Sequence, residues 1–504
     1  MASSQTTSVD VGGLVRPTGR LDMAQALEPY AGTLDERSAA HLLRRAGFGG
    51  APNDIARVAA MQPADAVESL VRFPSTSGLP APTDLFDPIA YRQQLVQQAR
   101  AGQGMFAGGA RLTPDKRREL GKDVRQAERQ SILALQRWWL DRMLATPAPL
   151  QEKMALYFHG HFTSAAIQKG VSPEMVFDQN QLFRQYALGN LRSLTRDISK
   201  DPAMLLYLDN AGSDAAHPNE NYARELMELF TLGVDHYSET DVREAARAWT
   251  GWTVDRRTGQ AAFVASRHDN GSKTFLGRTG NFTGDDIVDI IFDQPQCATF
   301  FATSLLNYFV YNNPEPELVA AVAASLRKHD YEIAPVVSML LRSNVFYSDR
   351  AYRALIKSPA EFVVGTYKSL GLAQVDGIGL RAMRAMGQIL FYPPNVAGWP
   401  PGANWMTSQM LISRQNFVAA LVNEPAVGET AWVAALPDDA AKASHDLVAT
   451  LLQGDASKQS FVQLASYLDG TNTSALGALS TENRDERLRG AAYLTMAMPA
   501  YQLN

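Results

Sequence analysis

The sequence predicts a mainly α protein: a large multi-helix bundle with a small β-hairpin or meander inserted near residues 252–277. Three observations predict it. Helix-start signatures recur along the chain, at Thr113 with Pro114, Ser238 with Asp241, Thr283 with Asp286, and Ser358 with Pro359 and Glu361. Several of the helices they open run to a Gly or Pro, as "PLQEKMALYFHG" does. Only "GWTVDRRTGQAAFVASRHDNGSKTFLG" alternates between Gly turns as short strands do.

Taken in order, residues 1–35 are polar with scattered Gly and Pro and read as a flexible tail. "LDERSAAHLLRRAGFGG" reads as a short helix whose basic end, Arg44 and Arg45, meets a Gly47 cap. Residues 75–88 are Pro-rich and 101–110 Gly-rich, both loops. The helix begun at Thr113–Pro114 runs to about Leu144, where Pro147 and Pro149 end it. "LQEKMALYFHGHF" is helical as far as Gly160, and residues 173–232 form further helices joined by tight turns. Beyond residue 425 the chain is Ala-rich and helical, broken at "DGTNTSALG". This divides it into the tail, a helical core over 36–425 that carries the β insert, and a C-terminal helical segment over 426–504 packed on that core.

Of the 504 residues, 46% are hydrophobic and 20% charged, which suffices for a sizeable core. A net charge of −5 argues against a general affinity for nucleic acid, whose phosphates need a basic surface. The single cysteine, Cys297, permits neither an internal disulfide nor a cysteine zinc site, and its apolar surroundings read as a buried, inert thiol. No run of 18 apolar residues predicts a membrane span. The first residues lack a basic-then-apolar leader, so the chain reads as soluble and cytoplasmic; a processed periplasmic or secreted form would read the same. P-loop, nucleophile-elbow, His-Glu-x-x-His and dinucleotide signatures are absent, so no nucleotide or flavin cofactor is indicated.

The densest polar motif is "HPNENYARELMELFTLG", residues 217–233. At about 100° per residue, Glu220, Arg224 and Glu228 share one helical stripe, with Asn221 and Glu225 beside it and apolar residues opposite. Two readings fit. The stripe is a salt-bridge ladder, or its carboxylates bind a cation or move protons. In "FHGHF", His159 and His161 would diverge by about 200° on a helix. They converge on a metal only if Gly160 turns the chain; otherwise they cap a helix end or pack against aromatics. Asp209, Asn210, Asp214, His217 and Asn219 form an oxygen-rich loop that suits Ca or Mg, or a set of Asx turns. "YPPNVAGWPPGANWM" sets Trp399 and Trp405 in a rigid Pro/Gly frame, either a plug over the core or a platform for a sugar or peptide.

Together "HLLRRAGFG", "WWLDRML", "FHGHF", "LYLDN", "NENYARELMELFTLGV", "DVREAARAWTGW", "SPAEFVVGTYKSLG" and "PPNVAGWP", in that order, resemble the bacterial family DUF1800. The likeness runs from about residue 38 to "AAYLTMAMPAYQ". It implies a large helical protein and no assigned activity. Relatives often carry export signals and are often encoded beside proteins resembling the alkaline phosphatase superfamily, a possible partner. They commonly read His-Asn-His-Phe where this chain has "HGHF". Gathering of the family motifs at the histidine pair and the Asn-Glu-Asn helix puts a site inside the bundle on an equal footing with a packing role.

Two functions follow. The first is a metal-assisted hydrolase or oxidoreductase holding a divalent metal. His159, His161, Glu220 and Glu228 are its candidate metal ligands, and Glu220, Arg224, Glu225 and Glu228 its catalytic groups, with Arg224 binding an anionic substrate or orienting the glutamates. Asn219, Asn221, Trp252 and Trp399 would contact a small-molecule or glycan substrate. The second is a non-enzymatic scaffold or partner protein in which the Glu–Arg–Glu network is structural.

Overall fold

Helix-start chemistry governs the architecture. The computed structural model describes residues 22–73, 82, 85–101, 113–255, 257–374, 377–424, 436–469 and 484–504. Among the described residues, 21 α-helices stand against two two-stranded antiparallel sheets, so the fold is mainly α. Thr113 caps Pro114–Ala145 through its hydroxyl, which accepts the Lys116 amide at 3.3 Å. The boxes at Ser238/Asp241, Thr283/Asp286 and Ser358/Glu361 all form, and a fourth at Asp35/Ser38 opens Glu36–Arg45. Each satisfies two amides that the helix leaves without partners.

Several expectations need correction. The first helix does end at Arg45, with Ala46 as its C-cap just before Gly47, but Gly47 is not the left-handed residue. The chain turns at Gly49, with φ +86°, where its amide reaches the Leu43 carbonyl at 3.1 Å. Arg44 and Arg45 are buried rather than solvated beside the helix terminus. The β insert is two separate hairpins, Trp252–Val254 with Ala261–Phe263 and Lys273–Phe275 with Arg278–Gly280, and it ends three residues later than expected. Residues 1–21 lie outside the described residues, as do most of the Pro-rich loop, nearly all of the Gly-rich loop and most of the "DGTNTSALG" break. Residues 22–35 are no loose tail. Ala26 and Glu28 accept backbone hydrogen bonds from Val345 and Asn344, both at 2.9 Å.

The centre of the molecule is Pro149–His161, called below the histidine helix. Every residue from Leu150 to His159 is buried, so this helix has no solvent face. Its two charged residues must therefore be paired within the protein. Glu152 accepts the Trp139 indole N–H at 2.9 Å, Arg184 Nε at 2.6 Å and Nη2 at 2.9 Å, and Arg142 Nε. Burial pushes its carboxyl up, but the two guanidinium groups outweigh burial and hold it below the ordinary value. Lys153 pairs with Glu361 of Pro359–Ser369.

The C-terminal helices Ala440–Leu452, Lys458–Asp469 and Arg484–Ala497 join this body through the chain's last residues. Ile356 and Leu503 form an isolated bridge, the Lys357 amide donates to the Gln502 carbonyl at 2.9 Å, and the Asn504 amide to Leu355 at 2.7 Å. No helix among the described residues is long and apolar enough to cross a membrane.

Candidate functional site

Gly160 stays helical, and that decides the fate of the two histidines. Separated by two residues on a helix, they point to different neighbours. His159 is fully buried among Trp139, Phe183, Phe391 and Trp399, with ring centroids 5.5, 6.1, 5.5 and 5.3 Å away. Among the described residues neither of its ring nitrogens has a hydrogen-bond partner, and burial pushes its pKa down to about 3. His161 stacks on Tyr157 and touches Phe230, Phe300 and Phe301. Burial lowers it to about 4, partly offset by the bond of its Nε2 to the Phe230 carbonyl at 2.9 Å, which calls for the Nε2–H tautomer. The expected turn that would make them one chelate is therefore not formed.

The glutamate stripe faces elsewhere. Glu220–Glu228 is a helix capped by Asn219, whose side chain accepts the Asn221 amide at 3.0 Å and donates to the Leu208 carbonyl at 2.8 Å. Arg224 reaches past Glu220 and Glu228 to grip Glu239 with two bonds of 2.7 and 2.8 Å. Glu228 accepts the Tyr237 hydroxyl at 2.8 Å. Glu225 is half-buried, and burial together with nearby Glu228 raises its pKa. Glu220 and Asn221 are exposed. In the preceding loop, Asp214 accepts the Ala216 and His217 amides at 3.0 Å, an Asx turn rather than a ligand set. Trp252 packs on Phe263 within its hairpin. The stripe's motif meets the histidine helix at Phe230, whose carbonyl and ring both contact His161. Among the described residues no group of three or more His, Cys, Asp or Glu is placed to hold a metal. His159, His161, Glu220 and Glu228 are thus not assembled as a shared set of ligands.

What the helices do assemble is a cleft of about 350 Å³ on the other flank of the histidine helix. Tyr157, Gly160 and His161 form one wall, Ser304, Asn307, Tyr308 and Asn312 a second, and Ser358, Glu361 and Gln388 the floor. The loop from Trp399 to Trp405 closes the fourth side. That loop sits tightly on the histidine helix. Gly398 has φ +81°, and a Cβ there would lie 2.1 Å from the Gly160 carbonyl oxygen, so only glycine fits. The cleft's polar groups are positioned by bonds behind them. The Tyr157 hydroxyl donates to Ser304 Oγ at 2.8 Å, Tyr308 to the Lys153 carbonyl at 2.9 Å, and Gln388 Oε1 accepts the Ala360 amide at 2.8 Å. Glu361 is split between two tasks. Oε2 closes the Ser358 capping box at 2.7 Å, while Oε1 takes the Lys153 ammonium. Burial lowers the Lys153 pKa and would raise that of Glu361, but the lysine keeps Glu361 below its ordinary value, so the pair is ionised.

Residues 41–503 match the family model described as "Protein of unknown function (DUF1800)". The chain belongs to the DUF1800 family. No curated protein and no solved structure gave a match. In this DUF1800 protein, motifs far apart in sequence meet at the cleft: "FHGHF" at its wall, "SPAEF" at its floor and "AGWPPG" at its rim. Of the residues singled out from sequence, His161 and Trp399 line it; Glu220, Arg224, Glu225, Glu228, Asn219, Asn221 and Trp252 do not. Lys153 and Glu361 were missed as a pair. The available signal was Lys153 itself, a charge inside the otherwise apolar run "KMALYF". Chemically the DUF1800 cleft offers aromatic faces, amide and hydroxyl groups, and one carboxylate neutralised by a lysine.

Proposed function

We propose that this DUF1800 protein is a binding protein for a small polyhydroxylated ligand, of the class of a sugar or glycan unit, held in the Trp399–Trp405 cleft. One observation carries the reading. Tyr157, Tyr308, Trp399 and Trp405 share a single cavity with Ser304, Asn307, Asn312, Ser358 and Gln388. A sugar presents apolar C–H faces and a rim of hydroxyls, which such a mixed wall complements. The volume of about 350 Å³ suits one or two rings, within the usual range of ligand sites. The Lys153–Glu361 pair leaves the floor without net charge, which favours a neutral ligand over an ionic one.

Tryptophan fluorescence titration with mono- and disaccharides tests this. A saturable change is expected with at least one sugar, weakened at least tenfold by Trp399→Ala. Because Trp399 also packs on His159, the exposed Asn312 at the cleft mouth supplies a second variant: Asn312→Ala should weaken binding with unchanged melting. Silence from a broad glycan array would sink the reading. For the glutamate stripe, the ion pair of Arg224 with Glu239 and the bond of Tyr237 to Glu228 favour a structural part, as in the scaffold alternative.

A further inference from the structure

Behind the cleft floor lies a cluster of buried cations that the cleft does not use. Lys357 directly precedes the Ser358 cap. Around it gather Arg44 from the first helix, Arg353, and Arg414 from Ser408–Val422, and all three act on its charge. The four side chains are 6%, 7%, 3% and 0% exposed respectively. Carboxylates are scarce there. Asp455 is taken by Arg353 Nε at 2.6 Å and by the Tyr352 hydroxyl, and Glu361 by Lys153.

The remaining cations have neutral hydrogen-bond and ring partners, with Asp455 acting on Arg44 and Glu361 on Lys357 and Arg414 from beyond ion-pair distance. Arg414 donates to the Lys357 carbonyl at 2.6 Å and to Gln502 Oε1 at 3.3 Å, while its Nε has no acceptor. Arg44 donates Nη1 to Gln453 Oε1 at 2.7 Å, while its Nε and Nη2 have none. The Lys357 ammonium rests over the Tyr501 ring, 4.1 Å from its centroid. No carboxylate lies within ion-pair distance of Arg44, Lys357 or Arg414 among the described residues. Burial and the neighbouring guanidinium groups push the Lys357 pKa well below its ordinary value, and burial lowers Arg44 and Arg414 to about 10. Buried charge without a counter-ion is costly, and a bound anion removes that cost.

We infer that this cluster is a binding site for a small oxyanion, a phosphate or carboxylate group, held by Arg44, Lys357 and Arg414. Gln453 lies at its edge. Its amide oxygen bridges Arg44 and, at 3.4 Å, Arg353 Nη2, a position suited to an anionic oxygen. It is itself partly exposed, at φ +52° beside the exposed Gly454, so solvent reaches this corner. The site is independent of what the cleft binds.

The test is thermal denaturation of the full chain at fixed ionic strength, titrating inorganic phosphate in one series and malonate in another. A saturable rise of a few degrees in Tm is expected in at least one, and the probe that saturates at lower concentration identifies the source of the group. Gln453→Glu places a carboxylate in the bridging position; it should raise Tm without added anion and abolish the response. Lys357→Met should likewise raise the anion-free Tm, by removing an uncompensated charge. A Tm that stays flat with both probes overturns the site, as does a response that survives unchanged in both variants.

Discussion

His159 shows how a residue type that suggests one chemistry can be committed to another. An imidazole with both nitrogens unmet, enclosed by four aromatic rings, is held neutral by its surroundings. The consequence for stability has a definite sign. Its folded pKa of about 3, and that of about 4 for His161, lie below the ordinary imidazole value of 6.5. The native state therefore keeps its full stability above pH 6.5 and loses it as pH falls and the unfolded chain takes up protons the native one refuses. The loss amounts to as much as about 1.4 kcal/mol per pH unit per imidazole. Denaturant unfolding between pH 7 and 4 should show this decline, and His159→Phe should make it shallower. Gly398 has a single permitted identity. Gly398→Ala should cost at least about 1–3 kcal/mol from backbone strain alone, and more from its clash with the Gly160 carbonyl. It should also disturb the tryptophan loop, which a shift in Trp399 emission would report.

At the scale of elements, the two charge-bearing helices answer opposite rules. The histidine helix is enclosed, so its Glu152 depends on Arg142 and Arg184 for its charge to be tolerable. Glu152→Ala strands both guanidinium groups and should lower unfolding stability by about 3–5 kcal/mol in equilibrium denaturation. Glu220–Glu228 lies at the surface, and its Arg224–Glu239 pair is open to water. Arg224→Ala should leave the unfolding midpoint almost unchanged; a large drop would mean that the stripe holds the bundle together. The helix starts were legible in sequence because caps are local: the hydroxyl or carboxylate and the amide it serves are three residues apart. The end of the first helix was legible as well: its last residue is Arg45, just before Gly47, although the left-handed turn falls at Gly49.

For the whole molecule, one hydrophobic cluster runs from Ala26 to Tyr501 among the described residues. Cys297 belongs to it, fully buried, with its thiol pKa pushed up by burial. A thiol reagent such as Ellman's should leave it unmodified in the native protein at pH 8 and label it stoichiometrically in denaturant. Rapid native labelling would contradict the packing around it. The candidate site was only partly legible. Trp399 and His161 were named from motif chemistry, but the cleft's floor, Glu361 with Lys153, joins residues 208 positions apart. No periodicity in either segment encodes that partnership.

The sequence by itself determined the helical class, the positions of the capped helix starts, the place of the β insert and the family. All of these follow from interactions that span a few residues, or from motif order. Tertiary structure alone decided the directions of the polar groups. It kept Gly160 helical and so separated His159 from His161, turned the Glu220 stripe toward Glu239 and Tyr237, and gathered Arg44, Lys357 and Arg414 into one interior cluster. Those outcomes depend on which helix faces which, and that is fixed by burying the apolar surface of every helix at once.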